Sequence, residues 1–495
     1  MTQRTLVFGL AFAAAVSVAV SVAGCAKTGT APIPSTELVG QSIHKSSDPN
    51  VIVHLFEWRW DDVAQECEQF LGPFGYSAVQ VSPVTESALV KGRPWYEKYQ
   101  PASYKLDNRS GDRAAFEQMV SRCKSAGVDI IVDVVLNHMT GVYTGTGNAG
   151  SSFSEYDYPG IYSFEDFHHC GTPGDEIQDW EDRTQVRECE LVNLADLKTE
   201  SEKVRTRLAD FLMDLAKMGV KGIRIDAAKH MWPEDIHSIL DRAHWDGYVV
   251  QEVNDTDRDP SWMPEYYATG NVTEMRYGYA VANSFRNGRL GELHVANGSS
   301  AGYERIPSDK ALVFVDNHDT QRKSEIMSFK EGPLYALAQV FTLAYPYGRV
   351  RVMSSYQYSD HVQGPPMLEN GDVIPVFDQG DVNCSIGAWV CEHRWPKIAG
   401  AVQFRRATAN ANVVSNWWET GGNQVAFGRG DLGFVVLNAS NDSLIATLKT
   451  SMNPGIYCDR LKIESCMPIT VQADGNVAVT LGPLDALAFD RESLK

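Results

Sequence analysis

An arginine and an aspartate two positions apart end an apolar segment of this chain. Arg224 and Asp226 belong to GIRIDAAKHM (222–231), and the first half of this stretch is typical of a buried strand. Residues i and i+2 of a strand lie on the same face, so the two side chains are predicted to meet. Burying a charge is costly unless it is paired or used. The pair is therefore either a structural ion pair or a catalytic carboxylate whose neighbour controls its charge.

Polar side chains gather in the same way at the ends of four apolar segments. They are Asn137, His138, Arg224, Asp226, Lys229, His230, Glu252, Asp316, Asn317, His318 and Asp319. One polar strand end is an ordinary structural feature, but four, with carboxylates at Asp226, Glu252 and Asp319, favour a catalytic site. No serine or cysteine nucleophile motif accompanies them. Glycoside chemistry suits such residues, because a retaining glycosidase uses a nucleophilic carboxylate and a protonated carboxylic acid about 5–5.5 Å apart.

Eight strands alternating with helical segments are predicted to position these residues. The strands are 51–56, 78–83, 129–138, 220–226, 248–253, 272–278, 311–319 and 349–355. The segment 201–219 between two of them has apolar residues at helical spacing. This alternation predicts an α/β fold, a closed (β/α)8 TIM barrel, in which reactive groups lie at the C-terminal ends of the strands.

Composition divides the rest of the chain into further parts. The barrel is predicted at 50–136 and 198–411, with an irregular inserted domain, 137–197, after the third strand. Glycine turns between strand-like segments predict an antiparallel β-sandwich over 412–495. Residues 26–49 have few large apolar side chains and are predicted to be a flexible linker.

The N-terminal segment 1–25 has the layout of a signal peptide. A basic start precedes an apolar run, 6–20, that is short for a membrane span, and VAGC then ends at Cys25. This ending resembles a bacterial lipobox and predicts lipidation of Cys25, with an ordinary secretory signal as the alternative. We therefore expect an exported protein whose membrane contact is limited to this anchor.

The formal net charge of −19 argues against a nucleic-acid partner and fits a neutral substrate. Eight further cysteines form an even set, which in an exported protein predicts disulfides rather than a metal cluster. The tract FHHC (167–170) lacks a fourth ligand at a familiar spacing, which argues against a zinc site.

Several motifs resemble conserved regions of glycoside hydrolase family 13, most closely those of animal-type α-amylases. They are GIRIDAAKHMWP, QEV, FVDNHD and VDVVLNHM, together with IVHLFEWRW, VQVSP, YQPASYKL, NWW and NQVAFGRG. The resemblance covers about residues 50–495. It implies endo-hydrolysis of internal α-1,4 bonds in starch, glycogen and related glucans, with retention. A transglycosylase on the same site and a non-catalytic surface glucan-binding protein remain as alternatives.

The resemblance also implies individual roles. Asp226 would be the nucleophile, Glu252 the general acid and base, and Asp319 a stabiliser of the transition state. The glucan-binding residues would be Trp95, Tyr96, Tyr99, His138, Lys229, His230 and His318. Taken alone, each aromatic residue would be better explained by core packing, but the motif favours substrate contact for Trp95 and Tyr99.

Two ions are implied by the same resemblance. Calcium would be held by two side chains and two backbone carbonyls, from Asn137, Asp196, Arg187 and His230. Oxygen donors suit this hard cation, although Asp196 alone could also cap a helix. Chloride would be bound by Arg224, Asn317 and Arg351, with Arg349 as an alternative to Arg351. The anion would disfavour the ionised form of Glu252, while Arg224 would keep Asp226 ionised.

The implied disulfides are Cys67–Cys123, Cys170–Cys189, Cys384–Cys391 and Cys458–Cys466, which leave Cys25 unpaired. The chain also departs from the animal enzymes. Asp107 stands where a cysteine is frequent, and Tyr96 replaces a common tryptophan. The glycine-rich loop after Asp319 is absent, so substrate gripping and product release are expected to differ. We expect a monomer.

Overall fold

The computed structural model describes residues 50–254, 262–294, 306–384 and 388–495. The predicted signal peptide, its Cys25 and the linker 26–49 lie outside these residues. Among the described residues, no helix is both long and apolar enough to span a membrane.

Eight parallel strands form a closed barrel, as the alternation predicts. In chain order they are β1 (Val51–Leu55), β2 (Ala78–Val81), β3 (Asp129–Val135), β6 (Gly222–Asp226), β7 (Tyr248–Gln251), β8 (Asn271–Thr273), β9 (Ala311–Val313) and β10 (Arg349–Ser354). Strand β1 pairs with both β2 and β10, which closes the ring. The strands β4 (Thr144–Thr146) and β5 (Ser152–Ser154) form a hairpin outside the barrel.

All eight predicted strands extend beyond the observed ones, six by one to three residues and two by five or more. The prediction 272–278 is wrong after Thr273, because the Glu274 side chain accepts the Arg276 N–H and begins a helix at Met275. The prediction 311–319 is wrong after Val313. There the Asn317 side chain accepts the N–H groups of Asp319 and Thr320, so that the chain turns at the barrel mouth.

The helices follow the barrel strands in sequence, except α4 (Arg183–Glu188), which lies in the insertion after β3. They are α1 (Trp60–Glu66), which continues through a π-helical turn (Cys67–Leu71) into α2 (Gly72–Phe74), α3 (Arg113–Ser125), α4, α5 (Glu202–Met218), α6 (Pro233–Arg242), α7 (Met275–Asn287), α8 (Pro333–Ala344) and α9 (Pro396–Ala407). Helix α5 illustrates their sequence logic. Ser201 caps its N-terminus by accepting the Val204 N–H, and Gly219 ends it in a left-handed conformation (φ 99°) that favours glycine.

Two antiparallel sheets follow the barrel. They contain β13 (Val414–Glu419), β14 (Gln424–Arg429), β15 (Gly433–Asn438) and β20 (Asp485–Asp490) in one sheet, and β16 (Leu444–Lys449), β19 (Asn476–Leu481), β18 (Pro468–Val471) and β17 (Gly455–Cys458) in the other. A separate apolar core contains residues from both sheets, such as Phe434 and Val479. Between α8 and α9, β11 (Phe377–Asp378) and β12 (Asp381–Val382) form a small hairpin. The fold class is therefore the predicted one.

In the described part of the chain, four disulfides join the cysteines in the implied pairs. They are Cys67–Cys123, Cys170–Cys189, Cys384–Cys391 and Cys458–Cys466. The first joins the π-helical turn after α1 to α3, and the second closes a loop that contains α4. Cross-links of this kind act mainly by restricting the unfolded chain.

Candidate active site at the barrel mouth

A single buried guanidinium binds three carboxylates at the mouth of the barrel. Arg224 Nη1 lies 2.7 Å from Asp133 Oδ1 and 2.5 Å from Asp226 Oδ1. Its Nη2 lies 2.9 Å from Glu252 Oε2. Strands β3, β6 and the end of β7 supply these groups, so the i, i+2 pair is part of a larger cluster.

Asp133 is the member of this cluster that the sequence analysis missed. Its Oδ2 also accepts hydrogen bonds from Tyr99 Oη (3.0 Å) and Gln80 Nε2 (3.2 Å). The available signal was a charged residue in the middle of the apolar strand DIIVDVV, where an unpaired carboxylate would be costly. Asp133 thus fixes Arg224 and Tyr99 from inside the barrel.

Burial and mutual repulsion raise the pKa values of two carboxyl groups of this cluster, Asp226 and Asp133. Burial raises the pKa of Asp226 well above its ordinary value, and the charges of Glu252 and Asp133 add to this effect. Arg224 lowers this pKa, but burial and the like charges outweigh it, so Arg224 does not by itself keep Asp226 ionised as the sequence analysis expected. Retaining hydrolysis needs one ionised and one protonated carboxyl group, and the nucleophilic role expected of Asp226 requires that Asp226 be the ionised one.

A strained turn brings Glu252 to the end of β6. Ala227, the residue after Asp226, has φ 48°, a left-handed conformation that is uncommon outside glycine. In this conformation its N–H donates to Glu252 Oε2 at 3.0 Å. The Lys229 N–H donates to the Glu252 backbone carbonyl at 3.1 Å. Two contacts therefore hold the ends of β6 and β7 together.

Asp319 faces the same mouth from the turn that follows β9. Its side chain is 35% exposed, and its Oδ2 lies 3.4 Å from His318 Nε2. The His318 ring stacks on Tyr99, with centroids 5.1 Å apart and planes within 6°. Partial burial in the cleft mouth, together with the charge of Glu252, raises the pKa of Asp319 to about 7.

A cleft of about 630 Å³ opens over these groups. All ten predicted catalytic and glucan-binding residues line it: Trp95, Tyr96, Tyr99, His138, Asp226, Lys229, His230, Glu252, His318 and Asp319. The cleft also contains residues that the sequence analysis missed, namely Trp180, Leu191, Val192, Leu194 and Asn254. Trp180 is 48% exposed and meets the His230 ring edge-on. A lone tryptophan in the polar segment EIQDWEDR was the available signal.

The two remaining cleft histidines are neutral and fixed by the backbone. His138 Nε2 lies 3.0 Å from the Tyr99 carbonyl oxygen, and His230 Nδ1 lies 2.8 Å from the Val186 carbonyl oxygen. Burial lowers the pKa of both rings to about 4. His138 Nδ1 also faces Asn137 Nδ2 at 3.3 Å, so both of its nitrogens are engaged.

The four residues implied for calcium are all buried, and two of them are in contact. Asn137 Nδ2 donates to Asp196 Oδ1 at 3.1 Å, and His168 Nδ1 lies 2.7 Å from Asp196 Oδ2. The Arg187 guanidinium forms an ion pair with Glu265 at 2.8 Å. This contact uses the side chain and does not involve the Arg187 backbone carbonyl. In the described ranges, no three His, Cys, Asp or Glu side chains form a metal-binding group. One carboxylate, one amide and two carbonyls nevertheless fit a hard cation.

Two of the residues implied for chloride, Arg224 and Arg351, are buried on barrel strands β6 and β10, and the third, Asn317, lies in the turn that carries Asp319. Arg224 Nε is buried without a hydrogen-bond partner. Burial and the charge of Arg224 lower the pKa of Arg351 to about 10, and Arg351 Nη1 donates to Gln80 Oε1 at 2.7 Å. Arg349 instead donates to the Asp309 carbonyl near the start of β10. The unused N–H of the buried Arg224 guanidinium fits an anion, and Arg351, whose pKa the charge of Arg224 lowers, fits as its partner better than Arg349.

Comparison with known proteins agrees with this geometry. Residues 60–266 match the alpha-amylase catalytic domain family, and residues 416–492 match the alpha-amylase C-terminal all-beta domain. The chain is 43% identical over 464 residues to an alpha-amylase-related protein of Drosophila atripex, covering 89% of this chain and 92% of that protein. Wild-type alpha-amylase I of Eisenia fetida superposes with a TM-score of 0.83 at 38% identity, over 90% of this chain and 98% of that one. A mutant of the same enzyme with maltohexaose gives a TM-score of 0.84 at 37% identity, with the same coverage.

Proposed function

This chain belongs to the alpha-amylase family, glycoside hydrolase family 13, and we propose that it is an exported α-amylase. It would hydrolyse internal α-1,4-glucosidic bonds of starch, glycogen and related glucans with retention of configuration. One observation carries the proposal: Asp226 and Glu252 bind the same guanidinium inside a cleft that also contains Asp319 and Trp95. The maltohexaose bound by the Eisenia fetida mutant supports an α-glucan substrate.

In the first step, Asp226 attacks the anomeric carbon while Glu252 donates its proton to the departing glycosidic oxygen. The C–O bond to the leaving chain breaks, and a covalent β-glycosyl ester of Asp226 forms. In the second step, water attacks that anomeric carbon, Glu252 accepts the water proton, and the Asp226 carboxylate is released. Two inversions give net retention.

The surrounding groups suit these roles. The Ala227 N–H fixes one Glu252 oxygen at 3.0 Å, which leaves the other for the substrate oxygen. Asp319, at the same mouth, can bind sugar hydroxyls and stabilise positive charge at the anomeric carbon. Trp95 and Tyr96 provide aromatic faces along the cleft.

Calcium would be held by Asn137, Asp196 and the carbonyls of Arg187 and His230, and it would neutralise a buried carboxylate there. We expect added calcium to raise the Tm of the wild-type protein, since a ligand that binds only the folded state stabilises it, by about 2.7 kcal/mol at 100 times Kd. Asp196→Asn should lose most of this rise in differential scanning fluorimetry. Asp157→Asn, at an exposed position of the insertion, serves as the control. Equal calcium responses of both variants would contradict the assignment.

Chloride would be held by Arg224, Asn317 and Arg351, and its charge would favour the protonated form of a nearby carboxyl group. We therefore expect added chloride to increase starch hydrolysis by the wild-type protein and to have little effect on Arg351→Ala. Arg349→Ala, at the start of the same strand, should keep the wild-type response. The measurement is kcat in chloride-free buffer and after chloride titration. A normal response of Arg351→Ala would leave this arginine as a structural partner of Gln80.

Export with lipidation of Cys25 is also proposed, together with action as a monomer. Four disulfides fit a secreted protein. Mass spectrometry of the mature N-terminus would identify a lipidated Cys25, and a mature chain that begins elsewhere without lipid would contradict it. Analytical ultracentrifugation would test the monomer.

The proposed activity is tested by release of reducing ends from soluble starch, with calcium present. Rapid loss of iodine staining relative to reducing-end release would indicate internal cleavage. Starch binding without new reducing ends would contradict hydrolysis and favour the glucan-binding alternative. Longer products made from maltoheptaose, with few new reducing ends, would favour transglycosylation.

A further inference from the structure

The segment that follows the Asp319 turn, residues 323–332, is bound to helix α7 through Arg286. Arg286 donates from Nη1 to the Ser324 carbonyl at 2.8 Å and from Nη2 to the Ile326 carbonyl at 3.0 Å. Arg286 also forms an ion pair with Glu331 at 2.5 Å. The side chains of Ile326 and Phe329 are buried. Hydrogen bonds and an ion pair with α7 therefore hold this segment in place.

Arg322 is the central residue of those contacts. Its guanidinium carbon lies 5.2 Å from the centroid of the Trp95 ring and 4.4 Å from that of the Tyr358 ring. Its Nη1 donates to the His318 carbonyl at 2.8 Å, and its Nη2 donates to Tyr356 Oη at 3.0 Å. One side chain thus joins three separate segments of the chain.

Two of these segments carry substrate-facing groups of the cleft. The His318 carbonyl belongs to the turn that carries Asp319. Trp95 belongs to the aromatic wall of the cleft, which consists of Trp95, Tyr96 and Tyr99. The third segment supports the same wall, because the Trp95 backbone N–H donates to the Val362 carbonyl at 3.3 Å. A shift of Arg322 would therefore move the Asp319 turn and the Trp95 ring relative to each other.

We propose that Arg322 is a positioning residue that fixes the plane of Trp95 relative to the Asp319 turn. This inference rests on the proposed function, since it concerns how a glucan stacked on Trp95 meets Asp226 and Glu252. A guanidinium suits the role, because it stacks on aromatic rings and donates in fixed directions at the same time. Ordering Trp95 before the substrate arrives reduces the entropy that binding must otherwise remove.

The test compares Arg322→Met and Arg322→Lys with the wild-type protein. Methionine keeps an unbranched apolar chain without the charge or donors, whereas lysine keeps the charge without the fork of donors. Lys330→Met is the matched control, because Lys330 is an exposed cation that lies 3.7 Å from the centroid of the Tyr358 ring. The readouts are kcat and KM on maltoheptaose, and tryptophan fluorescence during titration with maltoheptaose.

Arg322→Met is expected to raise KM about tenfold and to lower kcat about fivefold, within the range that small displacements of binding groups produce. The maltoheptaose Kd from fluorescence should rise with KM. Arg322→Lys should fall between Arg322→Met and the wild-type protein, and Lys330→Met should match the wild-type protein. All rates are calculated per molecule of folded protein, and circular dichroism measures the folded fraction.

If folded Arg322→Met has the KM, kcat and Kd of the wild-type protein, the inference is overturned. The same holds if its Tm falls while these three constants stay unchanged, since Arg322 would then have only a structural role. If Arg322→Met does not fold, wild-type constants in Arg322→Lys overturn it. Failure of the proposed function can be distinguished from failure of this inference, because the wild-type protein itself then releases no reducing ends. In that case the fluorescence Kd still tests Arg322, and a wild-type protein that also fails to bind maltoheptaose would overturn both.

Discussion

Asp226→Asn is expected to lower kcat on soluble starch by at least about 10⁴-fold, the scale of loss found when a catalytic nucleophile is removed. Asparagine has nearly the same shape as aspartate, but its amide cannot form the glycosyl ester. The fold should persist, because Arg224 retains Asp133 at 2.7 Å and Glu252 at 2.9 Å. The measurement is single-turnover and steady-state hydrolysis, with circular dichroism as the check on folding.

Asp129→Asn is the matched control for this prediction, since Asp129 begins strand β3 at the opposite end of the barrel from the cleft. It should leave kcat close to that of the wild-type protein. Asp226→Ala offers a chemical test of the same role. With an α-maltosyl fluoride and added azide, this variant should form the β-maltosyl azide, because azide replaces the missing carboxylate in one inverting displacement. Wild-type-like turnover by Asp226→Asn would remove Asp226 from the role of nucleophile.

Glu252→Gln is expected to lower kcat on starch by about 10²- to 10⁴-fold, the contribution typical of a general acid. The substitution keeps a side-chain oxygen that can accept the Ala227 N–H, which lies 3.0 Å from Glu252 Oε2. It removes the proton that the departing glycosidic oxygen needs. The loss in the glycosylation step should therefore be far smaller with α-maltosyl fluoride, because fluoride departs without strong acid assistance.

A pre-steady-state burst of fluoride would show this difference directly, since formation of the glycosyl enzyme would then precede its slow hydrolysis. Glu265→Gln is a useful control: Glu265 also binds an arginine, Arg187, but its carboxylate does not line the cleft. Equal losses on starch and on the fluoride would contradict the role of Glu252 as proton donor. Such a result would instead leave Glu252 as a positioning partner of Arg224.

Much of the fold could be predicted because its signals are local. Strand–helix alternation identified all eight barrel strands, and the polar strand ends identified the face that carries the site. Errors arose where a side chain competes with the strand for backbone groups. Glu274 and Asn317 both accept backbone N–H groups, and each begins a new conformation where apolar residues suggested that the strand continued.

Other features depend on contacts between distant segments. Asp133 meets Arg224 across 91 positions of sequence, and no spacing rule predicts that pairing. Trp180 enters the cleft from the insertion, whose irregular backbone has no periodicity to follow. The pKa of Asp226 also depends on the burial of the whole cluster. Burial raises this pKa more than Arg224, the one partner visible in the sequence, lowers it.

The most direct test of the account follows the anomeric configuration of the first product by proton NMR. Maltoheptaose is hydrolysed with calcium and chloride present, at a protein concentration that completes cleavage before mutarotation. Two displacements through Asp226 predict that the new reducing ends appear first as the α-anomer and then equilibrate. Initial release of the β-anomer would contradict the covalent role of Asp226 and indicate a single displacement by water.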